Sequence, residues 1–428
     1  MDRRVFLVLL LAGCADPSAN LAPTVTPAPP PPPTPQPPAP TPAGPPLASG
    51  SRGFDDWARD FRGRAIKAGL PAALLDREMA GLVPDPRVET LDTRQPEFAK
   101  PFGDYIKGVV SEDRVAIAAR RRPAIASTLA GIEARYGVPG DILMAIWAME
   151  TGFGAVMGDF DVIRSMATLA AEGRRQAFAE DQLMAALRII GSGEFPRSQL
   201  RGSWAGAMGQ TQFIPTSFLS TAVDGDGDGR RDVWGSSADA LASAANLLAK
   251  GGWQRGQGWA REVTLPDGFD YGLTEGPREV PDWWAQRGVR RADGLPWTSA
   301  DQGAKAMLIA PTGAQGPAFL LFPNHFVIRK YNNATTYALG VGLLADRFGG
   351  MGGVIRPWPY ETALSIGDRI ATQRALAQLG FDPGQPDGVV GVNTRGALRA
   401  WQRSRGLVAD GYLSLDMVRR LKTEANIP

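Results

Sequence analysis

From Ile142 to Met149 the chain reads Ile-Leu-Met-Ala-Ile-Trp-Ala-Met, an unbroken apolar run. It ends in one carboxylate, Glu150, followed by Thr151-Gly152-Phe153-Gly154. Read as a helix, the run puts Glu150 on one face with Trp147, Ile146 and Leu143, three, four and seven residues back. A carboxylate on such a face loses solvation, which disfavours its charged form and raises its pKa. The glycines stop the helix just after Glu150, so the negative end of the helix dipole pushes the same way. A side chain that keeps its proton near neutrality can serve as a general acid. The alternative is a glutamate reaching from a helix end to water or to a structural partner.

Composition narrows the chemistry. The 428 residues leave room for two or three domains, and 46 basic against 44 acidic side chains give no bias toward nucleic acid. One histidine, His325, and one cysteine, Cys14, exclude Cys/His zinc sites, paired-histidine metalloproteases and Cys-His nucleophile pairs. A Ser-His-Asp triad would have to recruit His325 from Phe322-Pro323-Asn324-His325-Phe326, where a packed core role is expected. Carboxylates remain as the chemical groups.

The N-terminus carries Asp2-Arg3-Arg4, the apolar stretch Val5–Leu11, and Leu11-Ala12-Gly13-Cys14. A charged start, an apolar middle too short to span a bilayer, and small residues before a cleavage point have the architecture of a signal peptide. The last four residues resemble the bacterial lipoprotein lipobox, which implies lipidation of Cys14 as the first mature residue. Ala15, where an aspartate would imply retention at the inner membrane, implies sorting to the outer membrane of a Gram-negative cell. Residues 20–50 are dominated by proline with Ala and Thr, a composition that predicts a disordered tether of polyproline character.

From Phe54 the pattern turns helical, with segments around Trp57–Ala68, Ala116–Tyr136, Ile142–Glu150, Phe178–Ile190 and Ala238–Leu248. Strand-like stretches are few: Val263–Leu265 and Ala318–Leu321. Gly349-Gly350-Met351-Gly352-Gly353, with Pro357 and Pro359 beyond, marks a boundary before a small helical module. The expected layout is a signal peptide over 1–13, a lipidated Cys and linker over 14–50, a main domain over 51–350 and a C-terminal module over 360–428.

Three further stretches bear on chemistry. Gly202 to Pro215 is dense in glycine and small residues with amide and hydroxyl groups, suited to close backbone approach to a ligand or to tight loop packing. Asp224-Gly225-Asp226-Gly227-Asp228-Gly229 with Asp232 matches the front half of an EF-hand calcium loop. Position twelve is Gly235 rather than a glutamate. Asp239 either closes the cage or caps the helix Ala240–Leu248, and an aspartate-rich turn without metal is the other reading of the loop. Tyr331 and Tyr337, six apart around Asn332, need not share a helix face; they read as ordinary packing or as a polar aromatic wall for a sugar.

Taken together, Trp147–Gly154, Met157-Gly158, Ala167–Ala170, Gly202–Gly209, Thr211–Pro215, the Asp224–Asp228 loop and Tyr331-Asn332 with Tyr337 resemble the membrane-bound lytic murein transglycosylase B family. Asp92–Phe98 is similar to that family's N-terminal signature. The likeness spans about Phe54 to Gly350. It implies a mainly α, lysozyme-like α+β catalytic domain that cleaves the MurNAc–GlcNAc β-1,4 bond of peptidoglycan without water, leaving 1,6-anhydromuramic ends. It also implies Glu150 as the catalytic acid and base, Ser203 and Gln212 as substrate contacts, Tyr331, Asn332 and Tyr337 as the wall of the site, and a hydrogen bond from Tyr337 to Glu150.

Residues from Leu376 to Leu421, with Asp387-Gly388, Trp401-Gln402 and Asp410-Gly411, resemble a peptidoglycan-binding domain. Read from the residues alone, the two Asp-Gly pairs are turns, and Ala397 and Trp401 are core partners on a helix. The resulting expectation is a periplasmic, outer-membrane-anchored, monomeric enzyme acting on glycan strands. It needs no cofactor for chemistry and has a candidate structural Ca2+ at Asp224, Asp226, Asp228, Asp232 and Asp239. Two rival readings stay open: a muramidase that uses water on the same fold, and a non-catalytic cell-wall tether.

Overall fold

The computed structural model describes residues 51–93 and 100–427. Cys14, the signal segment, the proline-rich tract and the Arg94–Phe98 part of the N-terminal signature lie outside the described residues. What is described is mostly helix, with one five-stranded antiparallel sheet and a three-helix module at the C-terminus. It is the lysozyme-like fold.

The apolar run forms the helix Gly140–Thr151, at the centre of the molecule. Ile142 to Ala148 are all buried, and their neighbours come from the helices Glu112–Tyr136, Ser237–Lys250 and Thr335–Phe348. Pro139 sets the extended entry to this helix, and Gly140 donates its N–H to Glu133 Oε2 at 3.1 Å. Gly152 ends it in the left-handed region, at φ 59°, with its N–H returned to the Ala148 carbonyl. Packing of this kind means that truncating Leu143 to alanine costs about 2–5 kcal/mol.

A second core joins the helix Ser51–Lys67 to Val162–Glu172, Gln176–Gly191 and Pro215–Thr221. Met208 and Phe213, from the loop Gly202–Phe213, belong to this second core.

The sheet was only partly legible in the sequence. Ala260–Thr264 and Ala318–Leu321 are strands and pair with each other, and Ala306–Ile309, Arg278–Glu279 and Arg290–Arg291 complete the sheet. Ala306–Ile309 reads Ala-Met-Leu-Ile, a continuous apolar run with no alternation, because Ala306, Leu308 and Ile309 are all buried. His325 is fully buried and stacks on Trp259, and burial pushes its pKa down to about 3. It is a neutral core residue.

The C-terminal helices Ile366–Gln378, Val392–Ser404 and Leu415–Glu424 enclose Leu376, Leu398, Trp401 and Leu421. Gly388 and Gly411, at φ 78° and 70°, make the two Asp-Gly turns. The module rests on the sheet unit through an Arg395–Glu275 ion pair at 2.7 Å and through Asp410, which accepts the Ala314 N–H at 3.0 Å.

Candidate active site

Glu150 sits one residue before the end of the central helix and is half-buried there. The hydroxyl of Tyr337 donates to its Oε1 at 2.5 Å. Burial raises the Glu150 carboxyl from its ordinary value to about 7, and the Tyr337 hydrogen bond pulls weakly the other way by favouring the charged form. Asp161, one of the nearest acids downstream, caps the helix Val162–Glu172 and pairs with Arg197 at 2.9 Å, while Asp159 is exposed beside Arg87.

Tyr337 touches the acid, and Tyr331 and Tyr105 feel its charge. Tyr331 and Tyr337 stack nearly parallel, ring centres 6.5 Å apart and planes at 9°. Their six-residue spacing works because Tyr331 precedes the helix Thr335–Phe348 and Tyr337 lies inside its first turn. The Tyr331 hydroxyl donates to the Thr211 carbonyl, which ties this wall to the glycine-rich loop. Both hydroxyls are held well above the usual tyrosine value, first by burial and then by the Glu150 charge.

The third tyrosine, Tyr105, was not anticipated. It lies on the helix Phe102–Val109, and burial together with the Glu150 charge pushes its hydroxyl up to about 12. Arg114 lies beside it; its guanidinium donates to the Gly108 and Val109 carbonyls and pulls the Tyr105 value down. No motif marked Tyr105, and its 45-residue separation from Glu150 left no local signal.

The glycine-rich loop is built around close backbone approaches. A Cβ on Gly202 would lie 2.0 Å from the Ala207 carbonyl oxygen, and one on Gly158 would lie 2.1 Å from the Gly202 oxygen. Ser203 closes the loop, donating its N–H to Ala207 O at 2.8 Å and accepting the Ala207 N–H at Oγ at 3.0 Å. Gln212 adopts φ 53° and donates through Nε2 to Met157 O and Gly209 O, while its buried Oε1 has no partner among the described residues. Neither side chain bonds to Glu150 among the described residues. The link to the acid runs through Thr151, whose hydroxyl donates to Gln210 O at 2.6 Å and accepts from Gly154 N. Asn332 is half-buried, and its side chain makes no hydrogen bond among the described residues.

In the acidic loop, Asp224, Asp226, Asp228 and Asp239 bring one oxygen each within 4.8 Å of one another. Asp232 is a correction to the expected set. Its Oδ1 accepts the N–H groups of Trp234 at 3.0 Å and Gly235 at 2.8 Å, and the Gln199 amide at 3.2 Å, so it shapes the turn instead. Asp239 is not the helix cap either. Ser236 caps Ser237–Lys250, and the fully buried Asp239 carboxylate accepts the N–H groups of Gly225, Asp226 and Asp232. Burial, and more weakly the Asp226 charge, holds the Asp239 value above normal. Four hard oxygens this close suit Ca2+.

With this geometry in place, comparison with known proteins gives the family. The transglycosylase SLT domain matches residues 53–346, and the putative peptidoglycan binding domain matches residues 366–421. The chain belongs to the SLT transglycosylase family. This family member is 32% identical over 212 residues to the membrane-bound lytic murein transglycosylase B of Escherichia coli, a match covering 49% of this chain and 57% of that protein. It therefore spans a little over half of that curated relative's length. Among solved structures, SltB3 of Pseudomonas aeruginosa in complex with NAG-anhNAM-pentapeptide is 48% identical, with a TM-score of 0.83, covering 86% of this chain and 99% of that one. The Escherichia coli lytic transglycosylase Slt35 in complex with calcium is 27% identical, with a TM-score of 0.58, covering 68% of this chain and 92% of that one.

Proposed function

We propose that this protein is a lytic transglycosylase that cleaves the MurNAc–GlcNAc β-1,4 bond of peptidoglycan, with Glu150 as its single acid and base. One observation carries the reading: a half-buried glutamate, raised to about 7 by burial and held by the Tyr337 hydroxyl, placed as a general acid. A hydrolase of the two-carboxylate type needs a partner acid about 5–9.5 Å away, as nucleophile or base. An intramolecular hydroxyl needs none.

In the first step the Glu150 proton moves to the glycosidic oxygen and the C1–O4 bond breaks. The carboxylate then takes the proton of the muramic C6 hydroxyl as the C6 oxygen forms its bond to C1. Glu150 ends protonated again, and no water is consumed. Tyr337 holds the carboxyl in place and stabilises it while it is charged. Tyr331, Asn332, Ser203 and Gln212 are assigned to hold the sugar near the bond. The stacked tyrosines and the unpartnered Gln212 Oε1 support that assignment.

The bound NAG-anhNAM-pentapeptide of SltB3 supports a peptide-bearing glycan as substrate. The domain limits proposed are 51–350 for catalysis and 360–428 for wall binding, working as a monomer. A lipid on Cys14 would anchor the protein to the outer membrane from the periplasmic side. The name of the membrane-bound relative supports this placement. Structural calcium at Asp224, Asp226, Asp228 and Asp239 is supported by the clustered oxygens and by the calcium complex of Slt35.

Mass analysis of digested sacculi tests the reading. Anhydromuramic ends are expected from the wild type and none from Glu150→Gln. Reducing muramic ends alone would replace it with a muramidase, and sacculus binding without any turnover would leave a tether.

A further inference from the structure

The helix Phe102–Val109 has no N-terminal cap of its own: Pro101 precedes it and offers no side-chain acceptor. The cap comes from 258 residues further along the chain. Glu361 Oε2 accepts the Gly103 N–H at 2.9 Å, which satisfies an orphan donor and sets a carboxylate at the positive end of the helix. A helix of eight residues is marginal by itself, so such a cap helps decide whether its first turn stays formed. The fit is close. A Cβ on Gly103 would lie 2.8 Å from the Trp358 Cβ and 3.2 Å from Glu361 Oε2. Trp358 also packs against Phe102 and Phe319, with ring centres 5.4 and 6.1 Å apart.

Glu361 is held from its other side by the C-terminal module. The Tyr412 hydroxyl donates to Glu361 Oε1. Burial, and then that bond, hold the Tyr412 hydroxyl above the usual tyrosine value, so it remains a donor. Tyr412 follows the Asp410-Gly411 turn, and its N–H donates to Asp410 Oδ1 at 3.0 Å. The same turn docks on the sheet unit at Gly313, where an added Cβ would lie 2.6 Å from the Tyr412 Cβ. One carboxylate therefore joins the two domains, with one oxygen bonded to each.

The capped helix reaches the acid. Tyr105, two residues after Gly103, is the tyrosine whose hydroxyl feels the Glu150 charge. At the other end of the helix, Val109 packs against the helix that carries Tyr337. A Cβ on Gly340 would lie 3.3 Å from Val109 Cγ1 and 3.5 Å from Met149 Cε. Gly340 stands three residues beyond Tyr337, and Met149 immediately precedes Glu150. A shift of the helix Phe102–Val109 thus moves Tyr105 directly and presses on the helices that hold Tyr337 and Glu150. We propose that Glu361 is a positioning residue for the reaction at Glu150, and that Tyr412 makes the docked C-terminal module part of that positioning. Beyond any binding to the wall, the seat of the module on the catalytic domain then keeps the surroundings of the acid in order. This rests on the transglycosylase reading above.

Turnover of a soluble GlcNAc-MurNAc tetrasaccharide by the full chain, resolved into kcat and KM, tests it. Glu361→Ala removes the cap and should lower kcat about tenfold, with KM within about twofold of wild type. Tyr412→Phe removes only a hydroxyl outside the catalytic domain and should lower kcat about threefold. Glu361→Gln keeps an oxygen for the Gly103 N–H and should hold kcat within about twofold of wild type. Amide exchange across Phe102–Val109 should quicken in Glu361→Ala and stay slow in Glu361→Gln. Should Glu361→Ala fail to fold, Tyr412→Phe carries the test alone. The proposal is overturned if the alanine and phenylalanine variants keep the wild-type kcat, if only KM rises, or if Glu361→Gln falls as far as Glu361→Ala. Failure of the transglycosylase reading would appear separately, as wild-type protein that releases no anhydro-ended product from the tetrasaccharide.

Discussion

Tyr337 and Glu150, 187 residues apart in sequence, meet in a 2.5 Å hydrogen bond in which the phenol donates to the carboxyl. The bond favours the charged form of an acid that burial otherwise keeps protonated, so the two effects oppose each other at one oxygen. Tyr337→Phe removes the lowering contribution only. The Glu150 pKa should rise above about 7, and kcat should drop about tenfold as the carboxylate of the second step loses its donor. A pH–rate profile checks it; an upper limb displaced to lower pH would contradict the assignment.

The pH dependence of the wild type follows from the same carboxyl. Glu150 must enter the reaction protonated, so kcat/KM should fall as pH rises through about 7. Tyr331 and Tyr337 titrate well above this range and stay neutral across it. Initial rates on purified glycan strands between pH 4.5 and 9 provide the measurement. A rate still climbing above pH 8 would exclude Glu150 as the acid.

Replacing the acid should cost activity and add stability. Glu150→Gln is expected to lower turnover about a thousandfold. The folded-state pKa lies above the ordinary 4.5, so the folded protein binds more protons between 4.5 and about 7, and wild-type stability declines as pH rises through that window. The glutamine variant escapes the decline. At pH 8 it should be more stable than wild type by about 1–3 kcal/mol, a range reduced for the partial exposure of the side chain, and at pH 4 the two should be equal. Urea unfolding at both pH values reads the difference.

Calcium should stabilise the fold through the aspartate cluster. At a hundredfold excess over its Kd the gain is about 2.7 kcal/mol, visible as a rise of several degrees in Tm. Asp226→Asn should abolish that rise, whereas Asp232→Asn should keep it, because Asp232 serves the turn at Trp234 and Gly235. Equal loss in both variants would return Asp232 to the ligand set.

Gly202→Ala tests the loop that carries Ser203. The added Cβ would sit 2.0 Å from a backbone oxygen, which no flexible side chain can relieve. The loop must shift, with a loss of about 2–4 kcal/mol and of most activity. Thermal melting beside a turnover assay separates the two losses, and an unchanged Tm would refute the close approach.

Local patterns carried much of this far. The apolar run forms its helix because side chains three and four apart share a face, and the Gly152 stop follows from backbone sterics at that residue alone. The Asp-Gly turns and the Ala397–Trp401 pair of the C-terminal module are local in the same sense. The sheet was read less completely, because the pairing of Ala306–Ile309 with Ala318–Leu321 and Arg278–Glu279 is set across the chain, and a buried strand shows no alternation. The calcium loop shows the limit within one motif. Spacing selected Asp224, Asp226 and Asp228, but whether Asp232 or Asp239 joined them depended on which backbone N–H groups each carboxylate met.

Residue order alone made Glu150 an acid in an apolar setting and left His325 and Cys14 too few for any other chemistry. It did not say that the Glu150 charge would reach Tyr105, or that Tyr331 and Tyr337 would stack. The physical reason is range. Helix periodicity and turn sterics act over a few residues, whereas the charge state and surroundings of a half-buried carboxyl are set by whatever the folded chain brings within a few ångströms, here from helices more than a hundred residues apart in sequence.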